Sequence, residues 1–205
     1  MTRQMFDSTT SSDIPQGAAV VAGYVDGAGA WTAFDWALHA GAAKVRITRL
    51  YDASPADVLD VETGAATDAD ALVWVLNKRA AGEPSVVYIQ ASRWAYLNAV
   101  FANAGQPPPP VWVALWDNNP TIPPGAFAKQ YANPTLTGRH YDLSVVPDYW
   151  GGVDPPPNVA PPPPVPVDAE SANAIFWQAG ADLLTRVAPG LNNDLATSAR
   201  ILAGI

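Results

Sequence analysis

Short apolar runs recur along the first 150 residues and constrain the fold more than any other feature of this chain. The clearest run is 18–26, AAVVAGYVD, whose nearly continuous apolar character is typical of a strand buried on both faces of a parallel sheet. We therefore predict eight strands, at 5–9, 18–26, 44–50, 57–64, 85–91, 111–116, 126–132 and 140–146.

Several of these runs are separated by segments with helical spacing. Residues 33–40, 69–81 and 93–104 predict three helices. Strands that alternate with helices or longer connections favour a parallel α/β architecture, and eight of them close most simply into a barrel. The connections between strands three and four, and between strands seven and eight, are too short for a helix. The sequence thus predicts a small TIM-like (β/α) barrel in which some helices are missing.

Composition excludes several classes of function. The 205 residues carry a net charge of -8 without a cluster of Lys and Arg, which argues against nucleic-acid binding. There is no cysteine, and the two histidines, His39 and His140, match no metal spacing, so we expect no metal and no cofactor. No stretch reaches the length of a membrane span, and the N-terminus lacks the apolar core of a signal peptide. We expect a protein that is cytoplasmic in the producing cell.

The acidic pair Asp60 and Glu62 is the first candidate for chemistry. Residues two apart on a strand point to the same face, with their Cα atoms roughly 6.5 Å apart. Two carboxylates that close together outside bulk water do not both ionise readily, so one of the two pKa values rises. Glycoside hydrolysis requires that division between a proton donor and an anion. The same short motif also occurs at solvated strand edges and before helices, and this alternative stays open for the motif alone.

Other polar and aromatic residues fall near the ends of predicted strands, where barrels of this kind carry their chemistry. Asp7 can belong to the site or cap the turn after strand one, and Asp142 can belong to the site or pair with Arg139 or Lys129. Flat aromatic faces suit sugar rings. The candidate substrate-binding residues are Trp116, Tyr131, Tyr24, Gln90 and Asp26, of which Asp26 can instead be a turn former.

Residues 4–152 resemble the glycoside hydrolase family 25 lysozymes, the muramidases common in phage and bacterial lysins. They are more similar still to the actinobacterial and phage "glycoside hydrolase-like" domain of uncharacterised function. The matching positions are Asp7 in MFDSTT, Asp60 and Glu62 in VLDVE, Asp142 in HYDLS, the aromatic strand VWVALW and Lys129-Gln130-Tyr131. The last-strand asparagine of the family is replaced by Ser144 here.

The resemblance implies hydrolysis of the β-1,4 bond after N-acetylmuramic acid in a peptidoglycan glycan strand. Glu62 would be the general acid. Asp60 would orient the acetamido group of the substrate or act as the stabilising carboxylate, and Asp7 and Asp142 would shape the site. A barrel that binds sugar with little or no turnover is the alternative.

The predicted barrel, 1–153, is followed by a proline-dense segment at 154–167 that predicts a stiff, extended linker. In the last segment, 168–205, apolar residues recur every four positions from Ile175 to Val187. A segment this small cannot bury such a stripe alone. We therefore expect a helical tail that docks to another protein, as in a virion, or forms a homo-oligomer, while the barrel acts at the cell wall.

Overall fold

The computed structural model describes residues 1–52 and 55–156. In these residues eight strands form a closed barrel in which each strand lies beside its neighbour in sequence. The predicted strands are all present, with ends shifted by a few residues. They are β1 (Thr2–Asp7), β2 (Val20–Tyr24), β3 (Ala43–Thr48), β4 (Val58–Val61), β5 (Val86–Gln90), β6 (Val111–Ala114), β7 (Ala128–Ala132) and β8 (Asp142–Pro147).

The direction of β8 corrects the expectation of a wholly parallel barrel. Strands β1 to β7 are parallel to one another, whereas β8 is antiparallel to both β7 and β1. A parallel crossover needs about a dozen residues or more to return the chain to the opposite end of the sheet. The link from β7 to β8 holds only a short helix and the turn at Gly138, so the chain enters β8 from the end at which it left β7.

The described part of the chain contains few helices for an eight-stranded barrel. Helix α2 begins with a capping box in which the Thr67 side chain accepts from the Asp70 amide and the Asp70 carboxylate accepts from the Thr67 amide. In the residues that the structure describes, no helix lies between β3 and β4 or between β6 and β7. The helices are α1 (Ala33–Leu38), α2 (Asp68–Ala80), α3 (Ala91–Asn103) and α4 (Pro134–Thr137), with a 3₁₀ turn at Ser11–Asp13.

Side chains alternate between the barrel interior and an outer layer under the helices, as the pleat of a strand requires. On β4, Val58 belongs to the inner cluster, whereas Leu59 and Val61 pack in the outer cluster with residues of α2 and α3. Asp60 shares the inner face with Val58 because it lies two residues later on the same strand. The alternation therefore carries a buried carboxyl group into the barrel interior.

The end of the barrel at which β1 begins is closed by residues that follow β8. Trp150 is buried there and packs edge-on against Phe127, with ring centroids 4.9 Å apart. Asp154, the first residue of the predicted linker, accepts two hydrogen bonds from the Arg3 guanidinium at 2.9 and 2.6 Å. The contacts of the barrel thus continue at least as far as Asp154.

The rest of the predicted linker and the predicted helical tail lie outside the described residues, apart from Pro155 and Pro156. Within the described residues no helix has both the length and the apolar character needed to cross a membrane.

Candidate active site

A cavity of about 220 Å³ opens at the end of the barrel where β1 to β7 finish and β8 begins. Three of its lining residues are the carboxylic acids Asp7, Glu62 and Asp142. A fourth acid, Asp60, lies behind the cavity wall on the interior face of β4 and is 3% exposed. The fold thus brings the four predicted acidic residues to one end of the barrel.

Asp60 is held by two neighbours. Its Oδ2 atom accepts a hydrogen bond of 2.9 Å from the Tyr24 hydroxyl and lies 4.0 Å from Nε of Arg49. Burial, followed by the negative charge of Glu62, raises the pKa of Asp60 to about 6, against the opposing effects of Tyr24 and Arg49. Asp60 can therefore keep a proton in mildly acidic solution.

Glu62 follows the last residue of β4 and faces the cavity. Burial raises the pKa of Glu62, and a hydrogen bond with Gln90 and the positive charges of Arg49 and Arg93 partly offset that rise. The negative charge of Glu62 raises the pKa of Asp60, so the two carboxyl groups do not ionise independently. Acid-assisted bond cleavage uses the state in which one of the two carboxyl groups is protonated and the other is ionised.

Asp7 and Asp142 form the second acidic pair and stand opposite each other across the β1–β8 ladder. Burial, the charge of Asp142 and a hydrogen bond between the two carboxyl groups affect Asp7, and its pKa is raised well above the usual range. The pKa of Asp142 rises to about 6, chiefly through burial. Two carboxyl groups can be hydrogen-bonded to each other only when one of them holds a proton.

The structural alternatives for these two acids are not observed. The turn after β1 is capped by Ser8, whose Oγ accepts from the Thr10 amide at 3.1 Å, and Asp7 takes no part in it. Lys129 donates to the carboxylate of Asp117 at 2.7 Å and not to Asp142. Asp7 and Asp142 instead line the cavity.

One glutamine connects the Asp7–Asp142 pair to aromatic residues at the cavity wall. Gln130 Oε1 accepts hydrogen bonds from the Tyr88 hydroxyl at 2.9 Å and from Nε1 of Trp116 at 2.7 Å. Its Nε2 donates to Oδ2 of Asp7 at 3.0 Å. Gln130 is buried, so these contacts determine how the amide is oriented.

Four aromatic side chains also line the cavity: Tyr24, Tyr88, Trp112 and Trp116. Trp116 is 44% exposed at the mouth, and the Arg49 guanidinium lies 4.1 Å above the Tyr24 ring. Tyr88 and Trp112 pack edge to face deeper in the barrel, with centroids 4.8 Å apart. Flat apolar faces beside carboxyl and amide groups are the combination that sugar-binding clefts use.

Three of the predicted substrate-binding residues, Tyr131, Asp26 and Gln90, are not among the residues that line the cavity. Tyr131 points away from the interior, where its hydroxyl accepts a hydrogen bond of 2.8 Å from Nε2 of Gln4. Asp26 accepts from the Arg49 amide at 3.0 Å and from the Thr48 hydroxyl, so it supports the β3 end. Gln90 contacts Glu62 from an exposed position, and the other two predicted residues, Trp116 and Tyr24, line the cavity.

Arg49, Tyr88, Trp112 and the inward orientation of Gln130 were not predicted as parts of the site. Every residue of β7 is buried, and so are most residues of β5 and β6, so the sequence does not reveal which alternate set faces inward. One residue of β7 gave a signal in the sequence. Lys129 needs a charged partner near the surface, so its side chain points outward, and the adjacent Gln130 lies on the opposite, inward face.

Within residues 1–52 and 55–156, no group of three or more His, Cys, Asp or Glu side chains is arranged to hold a metal ion. Comparison of the chain with models of protein families, with curated proteins and with solved structures gives no match. Any functional assignment therefore depends on the geometry of the cavity.

Proposed function

We propose that this protein is a glycoside hydrolase-like protein of phage or actinobacterial origin, built on a TIM-like barrel with some helices missing. Its proposed substrate is the glycan strand of bacterial peptidoglycan, in which it hydrolyses β-1,4 bonds as an N-acetylmuramidase. The observation that carries the proposal is that Glu62 lines the cavity with Asp60 behind the cavity wall, and that burial raises the pKa of both carboxyl groups. The resemblance to family 25 lysozymes adds the substrate class.

In the proposed reaction Glu62 is the general acid because it faces the cavity directly. Its proton passes to the leaving glycosidic oxygen as the bond from that oxygen to the anomeric carbon breaks. From behind the cavity wall, Asp60 acts as the stabilising carboxylate for the charge that develops on the sugar, or it orients the acetamido group for attack on the anomeric carbon. Water then adds to that carbon and returns a proton to Glu62.

The neighbours of Asp60 suit that role. The Tyr24 hydroxyl and the Arg49 guanidinium both favour the ionised form of Asp60, whereas Glu62 disfavours it. Trp116 offers an exposed indole face at the mouth of the cavity for stacking against a sugar ring. The proposed bound sugar thus lies between an aromatic surface and the acid pair.

The experiment compares wild type with Glu62→Gln on purified peptidoglycan, measuring the release of reducing sugar and the masses of the fragments. We expect wild type to release fragments with a muramic reducing end and Glu62→Gln to lose at least about a hundredfold in rate. Glu83→Gln is the matched control, because Glu83 lies outside the cavity and pairs with Lys78, and it should keep wild-type activity. Equal release by wild type and Glu62→Gln would contradict the role of Glu62.

A second candidate is a virion structural or interaction protein, docked through residues 168–205, whose barrel binds glycan with little or no turnover. The observation that favours it is that Asp7, Asp142 and Asp60 already have hydrogen-bonding partners, as polar groups in a fixed binding site do. This candidate predicts glycan binding, seen by calorimetry and tryptophan fluorescence, without release of any fragment.

A further inference from the structure

The orientation of the Gln130 amide is set by the indole of Trp116. An indole N–H only donates, so the group facing it at 2.7 Å must be the amide oxygen of Gln130. The Tyr88 hydroxyl, 2.9 Å from the same oxygen, can donate or accept and would tolerate either orientation. Trp116 therefore directs the Gln130 amide nitrogen toward Asp7.

The two oxygens of Asp7 differ because of that nitrogen. Oδ2 accepts from Nε2 of Gln130 at 3.0 Å, while Oδ1 is buried and has no hydrogen-bond donor among the described residues. A buried, unpaired anionic oxygen is costly, whereas a protonated oxygen at that position can donate to Asp142. An N–H already occupies the Oδ2 side, which leaves Oδ1 as the favoured position for a proton.

We propose that Gln130 is a positioning residue: its amide, oriented by Trp116, holds Oδ2 of Asp7 and leaves Oδ1 as the oxygen that carries the proton whenever the Asp7 carboxyl group is protonated. Gln130 acts through Asp7 and contacts no reacting atom in the proposed reaction. The inference goes beyond the proposed glycosidase function, because the proton has this position whether or not the barrel cleaves a glycan.

Other charged and titratable groups on the surrounding strands also affect the pKa values of Asp7 and Asp142. The charge of Asp60 on β4 raises the pKa of Asp7, and the charge of Glu62, the residue after β4, raises the pKa of Asp142. Tyr88 on β5 and Tyr24 on β2 stay neutral because burial raises the pKa of both hydroxyls. The remaining charged group at the cavity is Arg49 after β3. None of these groups donates a hydrogen bond to Asp7, so Gln130 alone distinguishes its two oxygens among the described residues.

The test is a carbon-13 NMR titration of the aspartate carboxyl groups in the full chain, with Asp7→Asn and Asp142→Asn used to assign the signals. In wild type we expect Asp142 to lose its proton at lower pH than Asp7. Gln130→Met keeps the length of the side chain and removes the N–H, which favours the Asp7 anion. We expect this variant to move the Asp7 midpoint upward by about one pH unit.

Trp116→Phe is the second variant and keeps an aromatic ring at a partly exposed position. Without the indole N–H the Gln130 amide is free to turn, so the Asp7 midpoint should move in the same direction by a smaller amount. The matched control is Gln90→Met, which removes the glutamine contact of Glu62 and should move the glutamate titration but not that of Asp7. Circular dichroism establishes that each variant is folded.

Two results would overturn the inference. One is an Asp7 titration that is unchanged in folded Gln130→Met, or in Trp116→Phe if the first variant does not fold. The other is an Asp7 midpoint that moves to lower pH in folded Gln130→Met, because the Gln130 N–H would then not stabilise the Asp7 anion. Neither result depends on enzymatic activity, so a failure of this inference is distinguishable from a failure of the proposed glycosidase function.

Discussion

Tyr24 on β2 and Asp60 on β4 are joined across the intervening strand by a hydrogen bond of 2.9 Å inside the barrel. Burial raises the pKa of Tyr24 far above neutrality, so its hydroxyl remains a donor whenever Asp60 ionises. This bond is a direct link between the barrel framework and one of the two carboxyl groups proposed to act on the substrate.

The Tyr24→Phe variant tests that link. Because the hydrogen bond from Tyr24 lowers the pKa of Asp60, its removal should move the Asp60 titration to higher pH. A lost hydrogen bond to a charged group corresponds to about 1.5–3 kcal/mol, so we expect kcat on peptidoglycan to fall by about tenfold or more. Tyr96→Phe, at an exposed position on α3, is the control and should behave as wild type. An unchanged pH profile in Tyr24→Phe would show that the bond does not tune Asp60.

The pH dependence of activity follows from the proposed role of Glu62 as the proton donor. Burial raises the pKa of Glu62, so this carboxyl group keeps its proton to a higher pH than a free glutamate does. The leaving group requires this proton, so peptidoglycan hydrolysis should decline by about tenfold per pH unit above the pH at which Glu62 ionises, which sets the alkaline limb of the pH profile. Initial rates measured as a function of pH give the position of the limb. A rate that rises through neutrality would contradict the assignment.

The stability of the protein should show the opposite effects of two buried aspartates. The pKa of Asp60 is raised from 3.8 to about 6, so its stabilising contribution is complete below about pH 4 and is lost as the pH rises through about 6. At neutral pH Asp60→Asn should therefore increase the free energy of unfolding, by up to about 3 kcal/mol. Denaturant titrations at acidic and neutral pH measure the difference.

Asp57→Asn, three residues earlier in the chain, is the matched comparison. Asp57 accepts two hydrogen bonds from the Arg46 guanidinium at 2.9 and 3.0 Å, and its replacement weakens a part-buried ion pair. We expect this variant to lose about 1–3 kcal/mol at neutral pH. Equal destabilisation of Asp60→Asn and Asp57→Asn at neutral pH would show that the ionised Asp60 carboxyl group does not lower the stability of the folded protein.

Close packing at the cavity wall makes a further prediction. A Cβ atom on Gly23 would lie 2.4 to 2.8 Å from ring atoms of Trp31, whose indole nitrogen donates to the Ser8 carbonyl at 2.9 Å. Since the indole is anchored, Gly23→Ala should lower the free energy of unfolding by about 1–3 kcal/mol in chemical denaturation. Gly41→Ala, where a Cβ meets no atom within 4 Å, should be close to neutral.

The sequence was sufficient to predict the number and order of the strands and the strand-end positions of the acids, because apolar runs and polar residues at their ends are local signals. It did not predict that β8 is antiparallel, which depends on how far a short connection can reach. Nor did it distinguish Gln130 from Tyr131 as the inward residue of β7. Both neighbours are buried, so only contacts across the barrel decide which one reaches the cavity.

The antiparallel direction of β8 has a practical consequence for engineering. Thr2 is paired with Pro147 at one end of the ladder, and Asp7 is paired with Asp142 at the other. The ion pair between Arg3 and Asp154 holds the segment that follows β8 beside the start of β1. A fluorophore, affinity handle or solid support attached at Asp148 would therefore be anchored at the pole of the barrel opposite the cavity.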